Sequence, residues 1–246
     1  MVESNIANMA QHEYWNTVAG PRWVGLGGFV EWRMRAFNDL LLARSGVAPG
    51  ENVLEIGCGT GATTVPLAEA VGERGRVVGG DLSEPMLAGA RQRVAESRLG
   101  NISLTQADAQ VHRFEANRSD LIASRFGVMF FADPVPAFSN LLPATRPGGR
   151  LCFICWGPLK ENRHWLIPYE VALRHWVLRR RPRLMRQARS HSAIETTCEA
   201  SSKGPASPIL WSTARPPTSL ALPLRRRRST RAPWALPLLS RHCLVC

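Results

Sequence analysis

Apolar positions recur at helical spacing from Gln11 to about Ala48, where Phe29, Trp32, Phe37, Leu40 and Leu41 form one stripe. Ser45-Gly46 and Pro49-Gly50 then stop that helix. The pattern changes at NVLEIGCGTG, a short apolar run that reads as a buried strand leading into a glycine-rich turn. Ala62 to Val71 reads as a helix, with Pro66 near its start, where a missing N–H is tolerated. RVVGGD is a second strand ending on Asp81. Ser83 is a suitable N-cap for a helix from Glu84 to Ser97, with Pro85 near its first position. NISLTQAD alternates as a third strand, and SDLIASRF is a fourth. Asp133-Pro134 opens a further helix that runs to about Thr145. Arg146-Pro147-Gly148-Gly149 reads as a turn, and RLCFICW as a fifth strand. Strands that alternate with helices predict an α/β fold: a doubly wound, mostly parallel sheet with helices on both faces.

The chain has 246 residues, enough for one domain with a sizeable core. Three regions are expected: a helical N-terminal cap over 1–48, the α/β core over 49–176, and a tail over 177–246. The formal net charge of +12 invites a nucleic-acid or anionic-surface reading, but its distribution argues otherwise. Residues 1–176 hold 17 Lys+Arg and 17 Asp+Glu, a balance of zero. Residues 177–246 hold 14 Lys+Arg against Glu195 and Glu199, so the whole excess lies there. The neutral core predicts no nucleic-acid partner. No run approaches the ~20 apolar residues that span a bilayer. The first residues lack a basic start followed by an apolar run, so no signal peptide is expected and the default location is cytoplasmic. Cys152 and Cys155 form a CxxC inside the fifth strand. Positions three apart on a strand face opposite ways, so a shared metal is not expected and both read as small hydrophobes.

The strongest chemical signal is Glu55-Ile-Gly57-Cys58-Gly59-Thr-Gly61. Glycines let the backbone turn sharply after a strand and approach a ligand closely, and the next helix aims its first N–H groups there. Asp81 ends the next strand, where a carboxylate can accept the hydroxyls of a ribose. That much suits any adenosine cofactor, and Gly57, Gly59 and Ala62 also satisfy the G-x-G-x-x-A of nicotinamide-dependent oxidoreductases. Such an enzyme of the short-chain type needs a Tyr-x-x-x-Lys pair. The chain has only Tyr14 and Tyr169, and only Lys160 and Lys203, so the pair does not exist.

An acidic residue two before the first glycine, with a third glycine at Gly61, resembles motif I of class I S-adenosylmethionine-dependent methyltransferases. The segments EYWNTVAGPRWV, VLEIGCGTGATT, GDLSEPML, QADAQ, SRFGVMFFADPVPAF and RPGGRLCFICW resemble a bacterial group related to the ubiquinone/menaquinone-biosynthesis methyltransferases. The likeness runs from Glu13 to about Leu166. It implies a Rossmann-like core that binds S-adenosyl-L-methionine through Glu55, Gly57, Cys58, Gly59, Gly61, Asp81, Leu82 and Met86. It also implies that Asp108 takes the adenine amine, that the Ala109 N–H faces a ring nitrogen, and that Ser124 sits at the methyl-donor end. Trp15, Arg22 and Trp23, with Asn16, are implied as a lid over the cofactor; the tryptophans equally suit packing of the cap on the sheet. Phe126, Met129 and Phe130 suit either an apolar acceptor pocket or the core. The implied activity is in-line methyl transfer to a small-molecule acceptor, which the fold does not specify. His12, His112 and His164 are bases by type, and nothing singles one out. No catalytic residue and no metal ligand is assigned.

The family continues past its fifth strand with a helix and two more strands. Here the familiar pattern ends near His175, and arginine, proline and serine follow without periodicity. A basic low-order tail is one reading; a nucleic-acid-binding or RNA-modifying protein recruited by that tail would be its functional form, with Arg225–Arg228 as an anion-binding element. The genetic code supports another. Joining the last base of each codon to the first two of the next, Trp176 to Pro208 can read GPPPPPP-x-DAPGPFPFRDRDYVRGILEGAGFAD. That string resembles the family's own continuation. A single-base shift near residues 170–176 is therefore expected, with everything after it out of frame. The last two strands of the seven-stranded sheet would be missing, strand five would be a bare apolar edge, and cofactor binding and turnover would suffer.

Overall fold

The computed structural model describes residues 7–157, 162–175 and 243–245. The chain begins with α1 (Met9–Tyr14), passes through a π-helical turn (Trp15–Ala19) and continues as α2 (Gly20–Ser45). The single predicted helix is therefore three pieces, and α2 breaks again at Gly27, whose φ of 34° and ψ of −117° are not helical. The expected stripe divides within the piece that follows this break. Phe37 and Leu41 are buried against the sheet, whereas Phe29 and Trp32 are exposed and pack on each other.

The core follows as β1 (Asn52–Ile56), α3 (Thr64–Val71), β2 (Arg76–Asp81), α4 (Glu84–Ser97), β3 (Ile102–Gln106), β4 (Ser119–Arg125), α5 (Pro134–Leu141) and β5 (Thr145–Trp156). Local chemistry places the helix starts. The Ser83 hydroxyl accepts from Met86 N at the head of α4, and the Asp133 carboxylate accepts from Val135 N at the head of α5. Pro66 falls in the first turn of α3, where its missing N–H is no loss. The expected turn at Arg146–Gly149 is instead a bulge within β5: Thr145 pairs with Ser119, and the register shifts before Arg150 pairs with Leu121.

The sheet order is β3-β2-β1-β4-β5-β6, with the first five strands parallel. β1 lies between β2 and β4, so the order reverses beside it, and the ends of β1 and β4 open a crevice. Two apolar layers cover the two faces. Val53, Val77, Leu121, Ala123, Cys152 and Ile154 pack on Phe37 and Leu41 of α2 and on Leu67, Ala68 and Val71 of α3. Leu54, Ile56, Ile122, Phe153 and Cys155 pack on Ala137, Phe138 and Leu141 of α5. Cys152 and Cys155 thus sit in different layers, as strand alternation requires.

After β5 come α6 (Arg163–His175) and β6 (Cys243–Val245). β6 pairs antiparallel with the end of β5, setting Val245, Leu244 and Cys243 against Ile154, Cys155 and Trp156. The expectation of a wholly bare β5 edge is corrected over those three residues. The remainder of the tail, Arg225–Arg228 included, lies outside the described residues.

Arg150 joins the cap to the sheet. Its Nε and Nη2 donate to the carbonyls of Ser45 and Gly46 at the end of α2 (2.6 and 2.8 Å), and its fork clasps both oxygens of Glu51 (2.8 and 2.7 Å). Glu51 is accordingly held below the usual carboxylate range, chiefly by this hydrogen bond. Arg150→Met is expected to cost about 1–2 kcal/mol, read as a fall in the urea midpoint. Arg150→Lys is expected to recover less than half, because an ammonium cannot serve the fork.

Candidate functional site

The glycine turn after β1 is shaped by what lies behind it. Gly57 has φ of 70°, and a Cβ there would lie 2.6 Å from Gly127 Cα, so β4's exit loop leaves no room for a side chain. Gly57 N and Cys58 N both donate to Gly80 O at the end of β2 (2.8 and 3.2 Å). The turn is thereby tied to the next strand rather than left as a free loop.

Asp81 holds the same junction. Its Oδ2 accepts from Gly59 N and its Oδ1 from Ser83 N, each at 2.8 Å. One carboxylate thus bridges the glycine turn and the head of α4 while facing the crevice end of β2. Burial raises its pKa, and these backbone N–H groups pull the other way. Leu82 and Met86 lie alongside. The Leu82 carbonyl accepts from Asn16 Nδ2 and Gln106 Nε2, and the Met86 methyl stands 3.2 Å from where a Gly59 Cβ would be. Cys58 is buried and its thiol is pushed well up by burial, so it serves as packing and not as a nucleophile.

At the end of β3, Asp108 accepts four hydrogen bonds. Oδ1 takes Gln110 N and Nε2 (3.0 and 3.2 Å), and Oδ2 takes Ala7 N and Asn8 N (2.9 and 3.0 Å). Asn8 Nδ2 also donates to Phe130 O at 2.6 Å. The segment before α1 therefore lies across the site and bridges Asp108 to the loop after β4. Ala109 is buried beside it, and its carbonyl accepts from Asn140 Nδ2.

The expected lid and pocket residues divide. Trp15 contacts Phe130 edge-on (5.1 Å) and Trp23 at a tilt (6.2 Å), and its carbonyl accepts from Ser83 Oγ. Asn16 accepts from Glu84 N, so the π turn is pinned to the end of β2. Arg22 is exposed. Phe130 faces this lid, whereas Phe126 stacks on Trp156 (4.8 Å, 8°) and meets Phe37, on the α2 side of the sheet. Met129 Sδ accepts from Trp156 N. Ser124 Oγ donates to Ile56 O and accepts from Val128 N, which bolts β4's exit to β1.

Sequence reading missed a second network under the turn. Glu31 of α2 pairs with Arg93 of α4 and accepts from Thr60 Oγ1, while Arg93 Nε donates to Thr60 O. The four charged groups gathered here are Glu31, Arg93, Glu55 and Arg125. Glu55 is marked by its place two before the first glycine, but no spacing in the chain announces that Glu31, Arg93 and Arg125 join it, because they come from three further elements. Glu55 is fully buried and accepts from Thr64 Oγ1 at 2.6 Å. Burial raises its carboxyl from 4.5 to about 7, against the pull of Thr64 and Arg125. The folded state thus keeps a proton that the unfolded chain releases at lower pH. That contribution to stability is complete below about pH 4.5 and is lost as pH rises to about 7. The raised pKa of Asp81 acts in the same direction. Urea midpoints across this range are expected to show a loss of about 3 kcal/mol in the native chain, and a clearly flatter profile in Glu55→Gln.

The chain is similar in sequence to known proteins. Residues 53–149 match the family described as "Methyltransferase domain". The aklanonic acid methyltransferase DauC of Streptomyces sp. (strain C5) is 41% identical over 104 residues, covering 42% of this chain and 47% of that protein. A ubiquinone/menaquinone biosynthesis C-methyltransferase of Teredinibacter turnerae is 37% identical over 118 residues (48% and 47%). A demethylmenaquinone methyltransferase of Oceanobacillus iheyensis is 30% identical over 140 residues (57% and 57%). The chain spans about half the length of the curated relatives it matches. Its parallel sheet, its glycine turn after β1 and the acidic residues ending β2 and β3 accord with these likenesses, and residues 53–149 are a methyltransferase domain of the class I S-adenosylmethionine-dependent family.

Proposed function

We propose that the chain binds S-adenosyl-L-methionine across the ends of β3, β2 and β1 and transfers its methyl group to a small, quinone-like aromatic acceptor in the cytoplasm. The observation that carries this reading is Asp81, a half-buried carboxylate joined to the glycine turn by Gly59 N and facing the crevice. Asp81 suits the ribose hydroxyls, Asp108 and Ala109 the adenine edge, and the turn from Gly57 to Gly61 the remainder of the donor. When bound, the donor supplies a methyl already activated by its sulfonium. The protein's part is to align acceptor and methyl and to exclude water, which is worth ~7 kcal/mol or more. Trp15 and Phe130 meet edge-on above the crevice and suit a flat apolar acceptor. The relatives are named for aklanonic acid, for ubiquinone/menaquinone biosynthesis and for demethylmenaquinone, which supports that class. Among the described residues, no helix is long and apolar enough to cross a membrane.

The tail beyond about residue 176 is read as out-of-frame translation. Its charge excess against a neutral core and its shifted-frame likeness to the family's continuation support this. Coding DNA in which no single-base change restores a family-like C-terminus ends the idea.

Calorimetric titration with S-adenosylhomocysteine is expected to show binding that Asp81→Asn weakens about tenfold or more, with no binding of NAD. Binding of NAD in preference would move the chain to the oxidoreductase class. The Ala7 and Asn8 N–H groups fill the Asp108 oxygen that the adenine amine needs. Replacing both residues with proline removes those donors, and the full-length variant is expected to bind S-adenosylhomocysteine several-fold more tightly.

A further inference from the structure

Arg125 is the last residue of β4, and its backbone is paired with Ile154 of β5. Strand alternation sends its side chain to the same side as Leu121 and Ala123, the side covered by α2 and α3. Glu55, Glu31 and Arg93 are the charges that act on it there. Its Nη1 is buried and has no hydrogen-bond partner. A buried guanidinium N–H without an acceptor is costly, so an absent partner is the natural question.

The neighbouring carboxylates do not fill that role. Glu31 is engaged by Arg93 and by the Thr60 hydroxyl, and Glu55 by the Thr64 hydroxyl. Burial also favours the protonated form of Glu55. Glu31 and Arg93, two of the charges that act on this guanidinium, both bond Thr60 of the glycine turn, which sets Arg125 on that side of the site.

Strand order then says which part of a ligand would arrive there. The order is β3-β2-β1-β4. An adenosine held by Asp108 at the end of β3 and Asp81 at the end of β2 has its remaining atoms directed to the ends of β1 and β4. In the methyl donor those atoms are an amino acid with a free carboxylate. We infer that Arg125 is the anion-binding residue that receives this carboxylate through its unpaired Nη1. Planar guanidinium and planar carboxylate match in charge and geometry. This inference rests on the methyl-donor reading of the site.

The test uses the full chain, wild type and Arg125→Met, titrated with two ligands. One is S-adenosylhomocysteine; the other is its decarboxylated analogue, which keeps the adenosine, thioether and amine. Wild type is expected to prefer the carboxylate-bearing ligand about tenfold. Arg125→Met is expected to lose that preference while binding the decarboxylated analogue within about twofold of wild type. If Arg125 only neutralises Glu55, the variant weakens both ligands alike, and the inference is overturned. It is also overturned if the preference survives the substitution, or if wild type shows none, which needs no variant to fold. Wild type that binds neither ligand sinks the methyl-donor reading itself, whereas equal binding of both sinks only the role of Arg125.

Discussion

The close approach of the backbone at Gly57 to that at Gly127 is the constraint on which the rest of the site depends. β1 and β4 are neighbours, and both chains must leave the sheet at the same end. No side chain fits between them, so the turn after β1 folds back to the carbonyl of Gly80 and presents the Gly59 N–H to Asp81. Ser124 completes the lock by donating to the Ile56 carbonyl from the β4 side. The crevice is what remains when these two exits are pinned in opposite directions.

Around this lock the molecule spends polar groups on positioning. Asp81 carries two backbone N–H groups, Asp108 four donors, and the Glu31–Arg93–Thr60 network steadies the outer side of the turn. Buried carboxylates satisfied in this way are well defined in orientation, which suits binding better than proton transfer. Glu55 differs, since burial outweighs the pull of Thr64 and Arg125 and lets it hold a proton near neutrality. Its setting links the stability of the core to the same cluster that borders the site.

Much of the fold was legible because the signals were local. Ser83 and Asp133 cap helices by reaching residues two or three positions away, and five apolar runs separated by turn residues could only pack as a sheet. The separation of Cys152 from Cys155 followed from strand parity alone. The cap was harder to read. Helical spacing placed Phe29 and Trp32 with Phe37 and Leu41, but at 3.6 residues per turn Phe37 and Leu41 share one side of the helix and face the sheet, while Phe29 and Trp32 point away from it and are exposed. The Arg146–Gly149 segment reads as a turn from composition, yet pairing on both sides makes it a bulge.

By itself the sequence determined the order of strands and helices, the glycine turn, the acidic ends of β2 and β3, and the confinement of excess charge to the last 70 residues. These are properties of neighbours along the chain or of simple counting. Tertiary structure alone decided that Ala7 and Asn8 reach Asp108, that Phe126 turns to the α2 side while Phe130 meets Trp15, and that half-buried Arg125 is set among charges from β1, α2 and α4. Each joins residues tens of positions apart. Such contacts depend on how the sheet twists and on where the cap settles, and no local pattern encodes either.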